Sequence, residues 1–214
     1  MRARKLRAGA LAFGLAVMGT AAVAAPASGA TGPMTVVALT ADGTLHMGDS
    51  PGHPSQIFTF FQGAELNIYS MTGEPVAIFF GPTCRQVSAR QVACTGVQRG
   101  LFNMGDADDF VLATGSIPYT INGGDGSDSL SAYYALSSTL NGDSGNDSLF
   151  GSDQGGALGD QLTGGSGRDE LQGNNGKDVF HTRDGEKDAI KCGSDNVKDD
   201  PSDRDSIDTR TNCP

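Results

Sequence analysis

GGSGRDELQGNNGKDVF, residues Gly164–Phe180, decides how the chain folds. Glycine loses more backbone freedom on folding than any other residue, so a run this rich in it needs a structural reason. Gly-Gly-Ser-Gly-Arg-Asp-Glu-Leu is followed nine residues on by Gly-Asn-Asn-Gly-Lys-Asp-Val-Phe, with glycine, aspartate and a large apolar residue at matching offsets. The unit is G-G-x-G-x-D-x-U-x, with U apolar, and it recurs on both sides of this stretch. Gly123–Leu130 and Gly164–Leu171 match every fixed position; Gly142–Leu149 and Gly173–Phe180 lack the second glycine. Gly155–Leu162 lacks the third, after an apparent insertion of Gly151–Gln154, and Met104–Val111 and Arg183–Ile190 are weaker copies.

The copies are in phase. Starts at 104, 123, 142, 164 and 183 are separated by 19, 19, 22 and 19 residues, close to two nonamers each. Sustained self-similarity at a short period is the mark of a solenoid. If each nonamer forms half a coil of a right-handed parallel β-helix, these five turns stack on one edge and the intervening half-coils on the other. The half-coil near Ala132–Thr139 has lost its glycine and aspartate and carries Tyr133 and Tyr134 instead.

The chemistry of the unit is that of hard oxygen. Glycine lets main-chain carbonyls turn inward, position six adds a carboxylate, and position eight sends an apolar side chain between facing sheets. Carbonyls and carboxylates without thiolate, and with almost no imidazole, suit Ca2+ at six to eight ligands. One turn supplies about half of such a shell, so an ion is expected between two stacked turns.

Before residue 100 the runs TVVAL, QIFTFF, LNIY and VAIFF are short, β-branched or aromatic, and separated by Gly, Pro, Asp and Ser. That is a strand pattern. Arg2, Arg4, Lys5 and Arg7 precede an apolar stretch from Ala8 and a small-residue tail ending near Ser28-Gly29-Ala30, which reads as an export leader and not a retained anchor. The expectation is a secreted, extracellular chain with no membrane span after processing. Without those four cations, Lys+Arg falls from 15 to 11 against 25 Asp+Glu, a net of −14. Such a charge argues against a nucleic-acid surface. Cys84, Cys94, Cys192 and Cys213 allow three pairings. Locality favours Cys84–Cys94, closing a hairpin, and Cys192–Cys213, clasping the tail.

The units resemble the RTX (haemolysin-type) calcium-binding nonapeptide repeats from about Met104 to Ile190, and the layout resembles secreted actinobacterial proteins of that type. The resemblance implies an all-β chain, with a small N-terminal β-domain followed by a right-handed parallel β-roll (an RTX β-helix). The divisions are a signal peptide (1–30), the β-domain (31–100), the roll (101–191) and an acidic cap (192–214). It also implies Ca2+ bridged between turns two units apart. Its position-six ligands would be Asp109, Asp128, Asp147, Asp169 and Asp188 on one edge, with Asp160 and Asp178 on the other. The turn glycines would be Gly123, Gly124, Gly126, Gly142, Gly145, Gly164, Gly165, Gly167, Gly173 and Gly176. Ala107, Leu158 and Glu186 replace the third glycine, which makes their turns the weaker ones. The best sites pair the 123 turn with the 142 turn, and the 142 turn with the 164 turn.

An enzyme is not expected. Gly48-Asp49-Ser50-Pro51-Gly52 fits G-x-S-x-G, with His46 and His53 nearby, but Pro51 has no N–H for an oxyanion hole. The flanks also lack a strand–turn–helix, so a secreted hydrolase is the remote alternative. His181 reads as an exposed or half-buried strand residue. The acidic run Asp195–Asp208 lacks the central Gly and final Glu of an EF-hand and reads as a solvated loop. The serious alternative to a plain calcium-binding protein is an extracellular structural or adhesion module whose spacer calcium rigidifies. No protein or glycan partner is named by the sequence.

Overall fold

The structure is a computed structural model and describes residues 34–154, 158–193 and 200–213. The expected leader, the Gly155-Gly156 pair and residues 194–199 of the acidic run lie outside the described residues. Every regular element among the described residues is a strand, and no helix there is long and apolar enough to cross a membrane.

Seven strands precede the repeats: β1 (Thr35–Leu39), β2 (Thr44–Gly48), β3 (Gln56–Gln62), β4 (Glu65–Ser70), β5 (Val76–Phe80), β6 (Cys84–Ser88) and β7 (Gln91–Thr95). Strand pairs then alternate between two sheets: β8 (Arg99–Asp106) with β9 (Phe110–Ala113), β10 (Tyr119–Asp125) with β11 (Ser129–Ser131), and β12 (Ser138–Ser144) with β13 (Ser148–Phe150). They continue as β14 (Gln161–Ser166) with β15 (Glu170–Gln172), β16 (Val179–Thr182) with β17 (Ala189–Lys191), and β18 (Asp200–Arg204) with β19 (Thr209–Thr211). All even-numbered strands from β8 pair in parallel in one sheet, and all odd-numbered strands from β9 pair in parallel in the other. This is a β-solenoid of stacked coils.

Two-residue alternation along each strand explains the core. The apolar residue at position eight faces inward, giving the row Val111, Leu130, Leu149, Leu171 and Ile190 on one sheet. Facing it from the other sheet is the row Phe102, Ile121, Leu140, Leu162 and Phe180. Both rows are buried.

Composition changes near residue 100, but the packing runs straight across it. Strand β2 lies antiparallel to β1 and parallel to β8, while β3 lies antiparallel to β4 and parallel to β9. The N-terminal hairpins therefore supply the hydrogen-bonding neighbours that the first coil would otherwise leave exposed. Leu45, Met47, Ile57 and Val92 join Phe102 and Val111 in one apolar cluster. Both expected disulfides are present: Cys84–Cys94 crosses the β6–β7 hairpin, and Cys192–Cys213 ties the penultimate coil to the last.

The acidic tail differs from its expected form as a loop. Strands β18 and β19 extend both sheets by one more coil, because their backbones complete the ladders of β16 and β17. Since each coil contributes one residue to each of the two facing rows, a missing side chain leaves a void its neighbours cannot fill. Leu149→Ala should destabilise the calcium-loaded protein by about 2–5 kcal/mol in urea unfolding.

Candidate metal centre

From β8 onward the turn from each even-numbered strand to the following odd-numbered strand ends in aspartate, and parallel stacking brings these side chains into register. Each main-chain N–H donates to the carboxylate one coil further along. Asp109 N bonds Asp128 Oδ1, Asp128 N bonds Asp147 Oδ1, Asp147 N bonds Asp169 Oδ1 and Asp169 N bonds Asp188 Oδ1, all at 2.8 Å. The five expected edge residues thus form one continuous ladder. Each is at most 3% exposed.

Only one oxygen of each carboxylate is used. The Oδ2 atoms of Asp109, Asp128, Asp147, Asp169 and Asp188 are buried without a hydrogen-bond partner among the described residues. Burial is the main force raising their proton affinity, opposed by the N–H donors and assisted by neighbouring carboxylates. Asp109, Asp147 and Asp188 are pushed up to about 7 and Asp128 to about 6, and Asp169 is raised as well.

The glycines make the space beside these orphaned oxygens. A Cβ on Gly123, Gly142 or Gly164 would collide with Oδ2 of Asp128, Asp147 or Asp169 respectively. From the Cβ positions at Gly123 and Gly142, the carbonyl oxygens of Gly142 and Gly164 in the next turn are 2.9 and 2.5 Å away. A carboxylate oxygen and a carbonyl oxygen of successive turns thus border a space that only glycine leaves open. Among the described residues no three His, Cys, Asp or Glu side chains converge, so further ligands would have to include main-chain oxygens. That donor set fits a hard cation such as Ca2+.

Glycines at positions two and four serve the stacking itself. Gly124 and Gly165 lie against the carbonyls of Gly105 and Asp143; Gly126, Gly145 and Gly167 lie against those of Ala107, Gly126 and Gly145. No Cβ fits at these contacts. Asp143 and Asn174 replace the second glycine yet keep its backbone, with φ of 73° and 69°. Short Asx side chains tolerate that region, whereas Ala107, at φ 100°, is strained in the first turn.

The opposite edge is built differently. Asp160 N donates to Asp178 Oδ1 at 2.8 Å, and Asp178 is completely buried. A Cβ on Gly173 would meet Asp178 Oδ2, and Gly176 has φ +135° beside Asp178 Oδ1. Both oxygens of Asp160, however, already accept hydrogen bonds: Oδ1 from Ser138 N at 2.5 Å and Ser138 Oγ at 2.9 Å, Oδ2 from Ser152 N at 2.6 Å. The expected start of this unit at Gly155 lies outside the described residues, and the place beside Asp160 is held by Gly151, whose missing Cβ lies 2.6 Å from both Asp160 Oδ2 and the Gly173 carbonyl. Similarly, the pairing of Thr163 with His181 sets Thr182 beside Gly164, so the turn to Asp188 holds one residue more than the others.

Two ladder members escaped the sequence reading. Asp208 continues the row by accepting from Asp188 N at 3.0 Å, although its turn has no glycine. Ser55 begins the row by donating N–H to Asp109 Oδ1 at 2.6 Å, and its hydroxyl bonds Asp49. The spacing of 20 residues between Asp188 and Asp208 was the available signal for the first; Ser55, 54 residues from Asp109, left none. Ser50 is buried, with its Oγ bonded to Met34 N and Met34 O at 3.0 Å each, so Gly48–Gly52 is a tied-down turn. His181 sits on β16 with Nδ1 2.9 Å from Asp203. Arg168, Lys177 and Lys187, at position five, are exposed.

Stacked coils with buried aspartates and glycine cradles define a calcium-binding β-solenoid. The chain carries RTX calcium-binding nonapeptide repeats: that family model matches residues 120–133, 137–154 and 154–186, in four copies. RTX nonapeptide repeats bind Ca2+, and this is a calcium-binding protein. No curated protein and no solved structure matches the chain.

Two outcomes follow from this geometry. Gly142→Ala puts a methyl group against Asp147 Oδ2 and the Gly164 carbonyl, and calcium titration should show weaker binding and a lost site. In EGTA, the raised carboxylates mean that the folded state holds more protons than the unfolded one. Stability of the metal-free form should therefore fall as pH rises from about 4 through about 7. In EGTA the β signal by circular dichroism should be larger at pH 5 than at pH 8; the reverse order would contradict desolvated carboxylates.

Proposed function

We propose that this is an exported calcium-binding protein whose roll folds around Ca2+ held between stacked turns. The observation that carries the proposal is the unbroken row of half-satisfied, buried carboxylates, of which Asp128, Asp147 and Asp169 each face their own coil's glycine. Bound Ca2+ supplies the positive charge these oxygens lack. Asp128 with the Gly142 carbonyl, and Asp147 with the Gly164 carbonyl, would form the best-defined sites. Asp169 continues the series, and Asp109 and Asp188 extend it where Met104 and Thr182 replace glycine at position one. Asp178 belongs to the opposite edge. Asp160 is the weakest candidate, because Ser138 and Ser152 already satisfy its oxygens.

Export supports the same reading. The basic and apolar leader, two disulfides and a strongly acidic mature chain fit an oxidising, calcium-rich exterior. Where calcium is scarce, like charges oppose stacking of the turns; outside, binding to the folded form shifts the equilibrium towards the roll. Extracellular calcium modules work near ~10⁻⁴–10⁻³ M.

At pH 8 circular dichroism should lose part of its β signal in EGTA, the share of the repeats, and recover it with millimolar calcium, while calorimetry counts the ions. An unchanged spectrum would refute calcium-driven folding. Asp147→Asn keeps the shape and the Oδ1 acceptor but removes the charge. It should raise the calcium midpoint roughly tenfold to a hundredfold, the equivalent of one charged interaction.

A further inference from the structure

We propose that the edge opposite the aspartate ladder carries a binding site for a neutral saccharide chain, with Tyr133 and Tyr134 as its platform and Asp153 and Asn175 as polar contacts. The half-coil here has lost the glycines and aspartate of the repeat, so it has no metal to hold. In their place stand adjacent tyrosines, 37% and 48% exposed, with ring centroids 4.2 Å apart and tilted by 58°. Leu136 beside them is 48% exposed.

The turn that presents these rings is unfavourable by itself. Tyr134 has φ 61°, a conformation that is a genuine outlier for a bulky side chain. Neighbouring coils hold it there. Gln154 Nε2 donates to the Tyr134 carbonyl at 3.2 Å and to Ser116 Oγ at 3.3 Å, while Leu136 N donates to the Ile117 carbonyl at 3.1 Å. Strain that surrounding structure enforces is characteristic of functional positions. Here it exposes apolar area that the core could have used.

The polar surroundings select the ligand class. Tyr133 Oη donates to Asp153 Oδ2 at 3.2 Å, and Asn175 Nδ2 donates to Asp153 Oδ1 at 3.0 Å. A groove beside them is lined by Asp153, Gln172, Asn174, Asn175 and Lys191. The Lys191 ammonium is paired with Glu170, which leaves the lining mainly amide and carboxylate. Rigid tyrosine rings offer flat apolar faces with a polar tip, suited to the C–H faces of pyranoses. Planar amides and carboxylates suit their hydroxyl groups. A mature charge of −14 repels polyanions, so the saccharide is neutral.

The mature chain in millimolar calcium should be titrated by calorimetry with cellohexaose, chitohexaose and mannohexaose, and cosedimented with cellulose and chitin. At least one hexasaccharide should bind, and Tyr133→Ala and Tyr134→Gly should each lower its association constant about tenfold. Tyr134→Gly should also raise thermal stability, because glycine accepts the positive φ. Its calcium titration should be unchanged, which separates this site from the calcium-dependent fold. Val87→Ser, on the remote strand β6, should bind as the parent does. No binding of any of the three sugars, or binding indifferent to both tyrosine changes, would overturn the proposal. So would self-association that these variants abolish without sugar binding, since the edge would then be an interface between copies.

Discussion

The hydrogen bond from each aspartate N–H to the carboxylate one coil away is the contact on which the rest of the molecule depends. It uses one oxygen and leaves the second buried without a partner, beside a glycine at Asp128, Asp147 and Asp169. Repeated at the spacing of parallel strands, ~4.8 Å, it stacks carboxylates close together. At an effective dielectric of about 20, neighbouring charges at that spacing would repel by on the order of 3 kcal/mol. The metal-free row relieves this by holding protons near neutrality, and a cation relieves it without them. Folding and protonation are thus linked on this edge.

Glycine is what allows the ladder to close to this distance. At Gly145 and Gly167 the carbonyl of the preceding turn occupies the volume of a side chain, so the coils could not approach with alanine there. The same positions that give the solenoid its rise therefore create the oxygen-lined spaces between turns. Gly123 and Gly142 do a separate job, since their missing Cβ atoms leave room beside a carboxylate. Ala107 and Met104 show the result of breaking both rules: the first turn holds a strained alanine and puts a buried methionine at position one.

Much of this was legible because the repeat has a strict phase. Offsets of 19 and 22 residues were enough to align Asp109 through Asp188, and the alternation of apolar residues located the core rows. Early strands such as Thr35–Leu39 and Gln56–Gln62 were visible as β-branched and aromatic runs between breakers. What remained hidden depends on contacts distant in sequence. Gly151, read in the sequence as part of an insertion, lies against Asp160 and Gly173 in the fold. Asp208 lacks any glycine signature, yet its backbone neighbours already define a turn that it can complete. Ser55 is joined to the ladder only by folding, across 54 residues. The identical unit Gly-x-Asp says nothing about whether a carboxylate is left half-satisfied; Ser138 and Ser152 decide that for Asp160.

The two ends of the solenoid carry a different load from its middle. A stack of identical coils exposes unpaired strand edges at both ends, and repetition cannot cure this. At the N-terminal end antiparallel hairpins take over each sheet, and Ser55 offers the ladder an N–H without adding another carboxylate. At the other end Asp208 has both oxygens occupied, Oδ1 by Asp188 N and Oδ2 by Thr182 Oγ1 and Asp205 N. The row of orphaned oxygens therefore stops one residue short of each end of the ladder. Covalent crosslinks lie in these same end regions, in the β6–β7 hairpin and across the last coil, beyond the row of orphaned oxygens. Between the ends the coils stack beside a row of orphaned carboxylate oxygens, whereas hairpins and disulfides secure the ends themselves.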